Sequence, residues 1–259
     1  MYGWQHAALR RRYQMTTTKE SVMQVFHPFG NFINSTTPML RRFLHLCGPL
    51  MGTSELWKQW VLTFIVNNGN YDWWYFPFQL CSIPMYLLLL LPVCETFFPK
   101  FQTPILTFLA TYGLLGGLAV FADTSGLNYP VLPLTVHAYT WHVLMIAIGI
   151  ASAILQIQGK CQCHAFRGAT AIYLCCCLVA SAINTVLGIT DSVNMFYINP
   201  KIPMVQVVFC DLVTQIGNMP TILLYVTATM LGARLIYVFW QTMTRSLVRR
   251  QADDIRKKQ

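Results

Sequence analysis

A small set of polar side chains stands out in a chain of 259 residues that is 55% hydrophobic and only 10% charged: Gln79, Cys81, Asp123, His137, His142 and Asn184. Each lies in or at the edge of an apolar stretch, where a polar group must be paired or face a cavity. An imidazole moves protons near neutral pH, a thiol becomes a nucleophile once ionised, and side-chain amides can donate to a developing negative charge. Taken singly, each has a plainer reading. A buried histidine is most simply a satisfied hydrogen-bonding residue, and a cysteine in apolar surroundings packs as a small hydrophobe.

The elements that must hold these residues are membrane spans. Charge-free windows run from Trp73 to Cys94, Phe101 to Ala122, Thr124 to Gly159, Gly168 to Thr190 and Leu212 to Ala233, and about 20 mostly apolar residues suffice to cross a bilayer. A sixth, from Phe43 to Val66, is interrupted by Glu55 and Lys58, which sit three apart and can pair on one helical face. The expected fold is therefore an all-α polytopic membrane helix bundle with six transmembrane helices. It comprises a segment 1–40 of undefined structure, a membrane domain 41–243 and a basic tail 244–259 that extends the last helix. This pattern excludes a soluble enzyme, a disordered chain and a nucleic-acid-binding domain, despite the formal net charge of +9.

Charge placement predicts the topology. Arg10, Arg11, Arg12, Lys19, Arg41, Arg42, Lys100, Lys160, Arg167 and the tail from Arg245 to Lys258 fall on one side of a six-span map, while Lys201 falls on the other with Asp72, Asp123 and Asp191. By the positive-inside rule both termini are cytoplasmic, and the basic clusters meet anionic lipid headgroups. Arg10 to Arg12 are followed by polar residues, so no secretory signal peptide is expected.

On that map the polar residues gather toward the non-cytoplasmic side. At about 1.5 Å per residue, Cys81 lies roughly 9 Å below a start at Tyr75, His137 at a similar depth, and His142 roughly 16 Å down. His137 and His142 are about 140° apart around their helix, so they do not serve one site equally. Pro84, read as interior to the second span, would free the carbonyl of Leu80 beside Cys81, either shaping a site or simply bending the helix. Gly113 and Gly117 form a small-xxx-small pattern that permits close helix packing.

The cysteines read as apolar packing residues and not as a disulfide framework. Cys161, Cys163 and His164 invite a metal reading but lack a second ligand pair at zinc-finger spacing, so a reduced loop without metal is expected.

The stretch Phe76-Pro-Phe-Gln-Leu-Cys-Ser-Ile-Pro-Met-Tyr86, followed by Ala122-Asp123, Tyr129-Pro130 and His142, resembles the YwaF family of bacterial integral membrane proteins. Asn184 with Leu187-Gly188, Asn194-Met195-Phe196, Lys201 to Pro203 and Gly217 to Pro220 extend the resemblance, which runs in order from about Arg42 to Tyr237. Gln79 stands where the family often has a histidine, and Met1 to Leu40 is too polar for a further N-terminal span. The resemblance implies a multi-pass protein of a bacterial plasma membrane. Through a similar eukaryotic group of membrane phospholipid acyltransferases, it also implies Cys81 as nucleophile and His142 as base. Asn184 or Gln79 would then be the oxyanion donor, and Asp123 or Asn194 would orient the base. Membrane lipids are the expected partners, and no cofactor is called for. The alternatives are a small-solute transporter or channel, with His137, His142, Asp123 and Asp211 along a polar path, and a non-catalytic lipid-binding membrane protein.

Overall fold

The computed structural model describes residues 27–157, 164–188 and 193–256. These residues are helical or irregular, with no strand among them. The helices are α1 His27–Trp60, continued by a π-helical segment Val61–Val66; α2 Ile83–Phe97; α3 Pro99–Ala122; α4 Leu132–Ile157; α5 Ala165–Leu187; the short α6 Phe209–Ile216; and α7 Asn218–Arg256. Four of them, α3, α4, α5 and α7, are long and apolar enough to cross a membrane. The outward faces of α5 and α7 carry exposed Leu178, Val186, Leu231 and Leu235, which a helix in water would bury. These are the helices of a multi-pass membrane protein.

Helix α3 lies at the centre, with Phe108, Leu109 and Tyr112 fully buried. Tyr112 stacks on Tyr173 of α5 at 4.7 Å between ring centroids, and its hydroxyl bonds Thr170 at 2.9 Å. Gln156 of α4 donates to Thr107 Oγ1 at 2.7 Å. Small residues allow the helices to approach closely. A Cβ on Gly149 of α4 would stand 2.8 Å from Leu114 Cβ and 3.1 Å from the Leu109 carbonyl, and one on Gly117 would meet Met145 and Ile146 at 3.2 Å.

Helix α3 contains a π-helical turn at Leu109–Gly113. The amide of Leu114 bonds the carbonyls of Leu109 and Thr111. The carbonyl of Ala110 instead accepts the indole N–H of Trp240 on α7 at 3.1 Å.

Several expected spans differ from the structure. The window from Trp73 to Cys94 is not one helix: Trp73–Tyr75 is a 3₁₀ turn, Phe76 to Ser82 is irregular, and α2 begins only at Ile83. Proline disfavours helical geometry in the residue before it and is well placed in a first turn. Pro84 accordingly starts α2 instead of kinking a longer helix, and α2, at 15 residues, is shorter than the four spans. Residues 43–66 are continuously helical but too polar to rank with those four. The last predicted window, Leu212 to Ala233, is split at Gly217, whose φ of +83° ends α6 and lets α7 start afresh. Helix α1 begins before Arg41, and α7 continues past Thr244 to Arg256.

Candidate functional site

The irregular segment before α2 positions Cys81. The hydroxyl of Tyr86 holds the Pro77 carbonyl at 2.9 Å, and Ser82 N–H closes a turn onto Gln79 at 2.8 Å. Cys81 thus sits half-buried at the N-terminal end of α2, not within a helix as the spacing suggested. That is the end at which a helix dipole favours an anion, and reactive thiols are commonly placed there.

Helix α4 closes over Cys81 from the side. The indole N–H of Trp141 donates to the Cys81 carbonyl at 3.0 Å. Its neighbour His142 is buried, with Nδ1 2.8 Å from the Ala138 carbonyl one turn earlier. A carbonyl oxygen only accepts, so Nδ1 carries the hydrogen, and in the neutral form of the ring Nε2 is bare. His137, four residues before Trp141, shares its face. Its ring lies 5.5 Å from Trp141 and 5.7 Å from Trp57 of α1, and both ring nitrogens are buried with no hydrogen-bond partner among the described residues. Among the described residues, neither imidazole is hydrogen-bonded to the Cys81 thiol.

Helix α1 adds charge that the sequence placed nearby but did not assign to this site. Glu55 is only 4% exposed and pairs with Lys58 at 2.8 Å, as the three-residue spacing predicted. Gln59 donates to Glu55 Oε1 and to the Tyr75 carbonyl, each at 2.7 Å, tying α1 to the segment that carries Cys81. The signal in the sequence was the presence of two charges in an otherwise apolar window.

The remaining predicted residues are engaged elsewhere. Gln79 bridges two backbone positions, donating to the Asn194 carbonyl at 3.0 Å and accepting from Phe196 N–H at 2.7 Å. Asn184 does the same to Met195, at 3.0 and 2.6 Å. Between them they hold Asn194 to Phe196, beside the left-handed residues Phe196 and Tyr197, with φ of 56° and 57°. Asn194 accepts from Asn199 N–H at 2.9 Å, and its Nδ2 is buried without a partner among the described residues. Asn199 and Asn218, neither singled out in the sequence, continue the lattice through Val193, Ile202 and Met204. These amides brace a loop, and both oxygen and nitrogen of Gln79 and Asn184 are occupied.

Asp123 is exposed in the loop after α3 and accepts from Ser125 N–H at 2.9 Å. That bond holds its carboxyl below the usual aspartate range. The ring of His142 is oriented by Ala138, not by Asp123 or Asn194. Asp211 is exposed on α6. Cys161 and Cys163 lie outside the described residues, and His164 is exposed.

No family model, curated protein or solved structure matches this chain.

Proposed function

We propose that this integral membrane protein transfers or hydrolyses an acyl chain of a lipid, with Cys81 as nucleophile and His142 as base. One observation carries the reading. The Trp141 bond to Cys81 brings α4 against the thiol segment, and the next residue, His142, turns Nδ1 to the Ala138 carbonyl, which leaves Nε2 of the neutral ring to serve as base. In this mechanism Nε2 takes the thiol proton and the thiolate attacks the ester carbonyl. The ester C–O bond then breaks, leaving a thioester on Cys81, and the departing lysolipid oxygen takes the proton from His142. Water or an acceptor hydroxyl then resolves the thioester. Catalytic hydrogen bonds are often long without substrate and tighten when it binds.

The same reading takes α1 and α2 as crossing the membrane together with the four apolar helices. Both termini are then cytoplasmic and the site lies in the outer half of the bilayer. Aromatic residues Tyr71, Trp73, Trp74, Tyr75 and Tyr129 gather at that end, as they do at membrane interfaces.

Purified protein in lipid, incubated with a chain-labelled phospholipid, tests the proposal. A labelled thioester is expected on wild type, absent in Cys81→Ala and slowed about 10²- to 10⁴-fold in His142→Ala. Labelling that is missing from wild type or unchanged in Cys81→Ala sinks the enzyme reading. The buried Glu55–Lys58 pair and unpartnered His137 would then favour a polar transport path.

A further inference from the structure

We infer that Phe196 and Tyr197 are positioning residues of the thiol site: a strained turn sets their rings against the segment that carries Cys81 and fixes where the thiol stands. The inference rests on the acyl-transfer reading above and adds to it two residues from a distant loop.

Phe196 and Tyr197 have φ of 56° and 57°. Bulky side chains rarely adopt this left-handed geometry, because Cβ crowds the following carbonyl. A turn that only had to reverse the chain would be made more easily by glycine or asparagine. Here the strain is held from several directions. Asn184 bonds the N–H and the carbonyl of Met195, and Gln79 bonds the Asn194 carbonyl and the Phe196 N–H. Asn194 and Asn199 tie the loop to itself. Strained backbone persists only where its surroundings over-determine it, and such places gather at sites that must hold a geometry.

What this turn achieves is the placement of two rings. Phe196 is 1% exposed, and its ring lies 5.9 Å from that of Phe78 and 6.2 Å from that of Tyr173 on α5. Tyr197 meets Trp74 edge-on at 6.3 Å. Trp74 and Phe78 stand seven and three residues before Cys81, on the stretch that lacks a helical ladder to keep its register. The carbonyls of that stretch at Tyr75, Pro77 and Cys81 are held by Gln59, Tyr86 and Trp141; its side chains are held by this loop. Tyr173 stacks in turn on Tyr112 of α3, so Phe196 seats the thiol segment against the buried centre of the bundle. A nucleophile that must come within about 3–3.5 Å of an ester carbonyl depends on such fixing, and a misplacement of about 1 Å is costly in rate. Both residues act through Phe78 and Trp74 and not on the reacting atoms.

The test separates ring from strain at Tyr197, in the full-length protein in lipid. Glycine suits a left-handed backbone and alanine does not, so Tyr197→Gly should melt at a higher temperature than Tyr197→Ala. Both lack the ring, so both should form the Cys81 thioester about 10- to 100-fold more slowly than wild type despite their different stabilities. Tyr197→Phe keeps the ring and should restore the rate. Labelling that follows stability, with Tyr197→Gly close to wild type, overturns the positioning role, and so does equal melting of the glycine and alanine variants. At the more deeply buried Phe196, leucine fills most of the volume without the ring, and Phe196→Leu should also slow labelling; a normal rate overturns its part.

The two proposals fail separately. A thioester formed at the wild-type rate in every variant leaves acyl transfer standing without the positioning role. If wild type forms no thioester, acyl transfer falls and alkylation by N-ethylmaleimide decides. Cys81 should then react several-fold faster in Tyr197→Ala and Tyr197→Gly than in wild type and Tyr197→Phe, because its segment is loosened. Cys94, near the other end of α2, should be unchanged in all four. Equal rates at Cys81 throughout overturn the inference.

Discussion

The indole nitrogen of Trp141 lies 3.0 Å from the carbonyl oxygen of Cys81, across 60 residues of sequence. This bond fixes the backbone of the candidate nucleophile against the helix that carries both histidines. Trp141→Phe keeps an aromatic ring, though a smaller one, and removes the donor. It is expected to cost about 1–3 kcal/mol in unfolding, since a part-buried carbonyl loses its partner, and to slow thioester formation more than Cys47→Ala does. Unchanged stability and unchanged labelling together would show that the bond positions nothing.

Gln79 and Asn184 clamp successive residues of one loop, so they should behave as structural partners. Gln79→Leu and Asn184→Leu should each lower stability by about 1–3 kcal/mol. The double variant should fall short of the sum, because both clamps brace the same segment. Thermal unfolding in detergent measures this. A Gln79→Leu protein with normal stability and no thioester would instead make Gln79 a donor to the substrate.

Asp123 provides a signed pH effect. Its carboxyl is held below the ordinary aspartate range by Ser125 N–H. The loop contribution is therefore fully present above the unfolded-state value and is lost as pH falls through the lower folded value. Carboxyl NMR of selectively labelled protein should find Asp123 titrating below free aspartate, and replacing Ser125 with proline, which has no N–H, should return it upward. A normal titration in the unaltered protein contradicts the bond.

The proposed topology makes a further test independent of chemistry. Reporters inserted at Gly126 and fused after Gln259 should register opposite sides of the membrane, the second cytoplasmic. Finding both on one side would exclude the six-crossing map.

The sequence exposed the helical class because long apolar windows are set by composition, and it exposed the Glu55–Lys58 pair because three-residue spacing is a local property. The start of α2 was obscured. Apolar residues from Phe76 onward look like span whether or not they are helical, and Pro84 reads equally as a kink or as a first-turn residue. The candidate site was visible as residue types, and its members then separated by partner. Cys81 and His137 meet the same Trp141 through contacts between distant segments, whereas His142 bonds Ala138 of its own helix. Gln79, Asn184 and Asn194 instead found backbone partners in a loop whose left-handed turns at Phe196 and Tyr197 have no glycine to announce them. Trp141 was missed because a tryptophan in an apolar helix has no distinguishing pattern until its indole N–H is given an acceptor.

The π-helical turn at Leu109–Gly113 makes one place in α3 tolerant of a change in chain length. Such a turn accommodates one residue beyond the regular winding, so deleting Ala110 would return α3 to regular winding and leave the turns on either side in register, with Gly117 still against Met145 and Ile146. The same deletion in a regular turn, at Leu115, would rotate everything that follows by about 100° and carry Gly117 away from that contact. A lineage carrying this bundle can therefore shed a residue at the turn without re-registering α3 against α4, and what it loses there is the carbonyl that Trp240 of α7 now bonds.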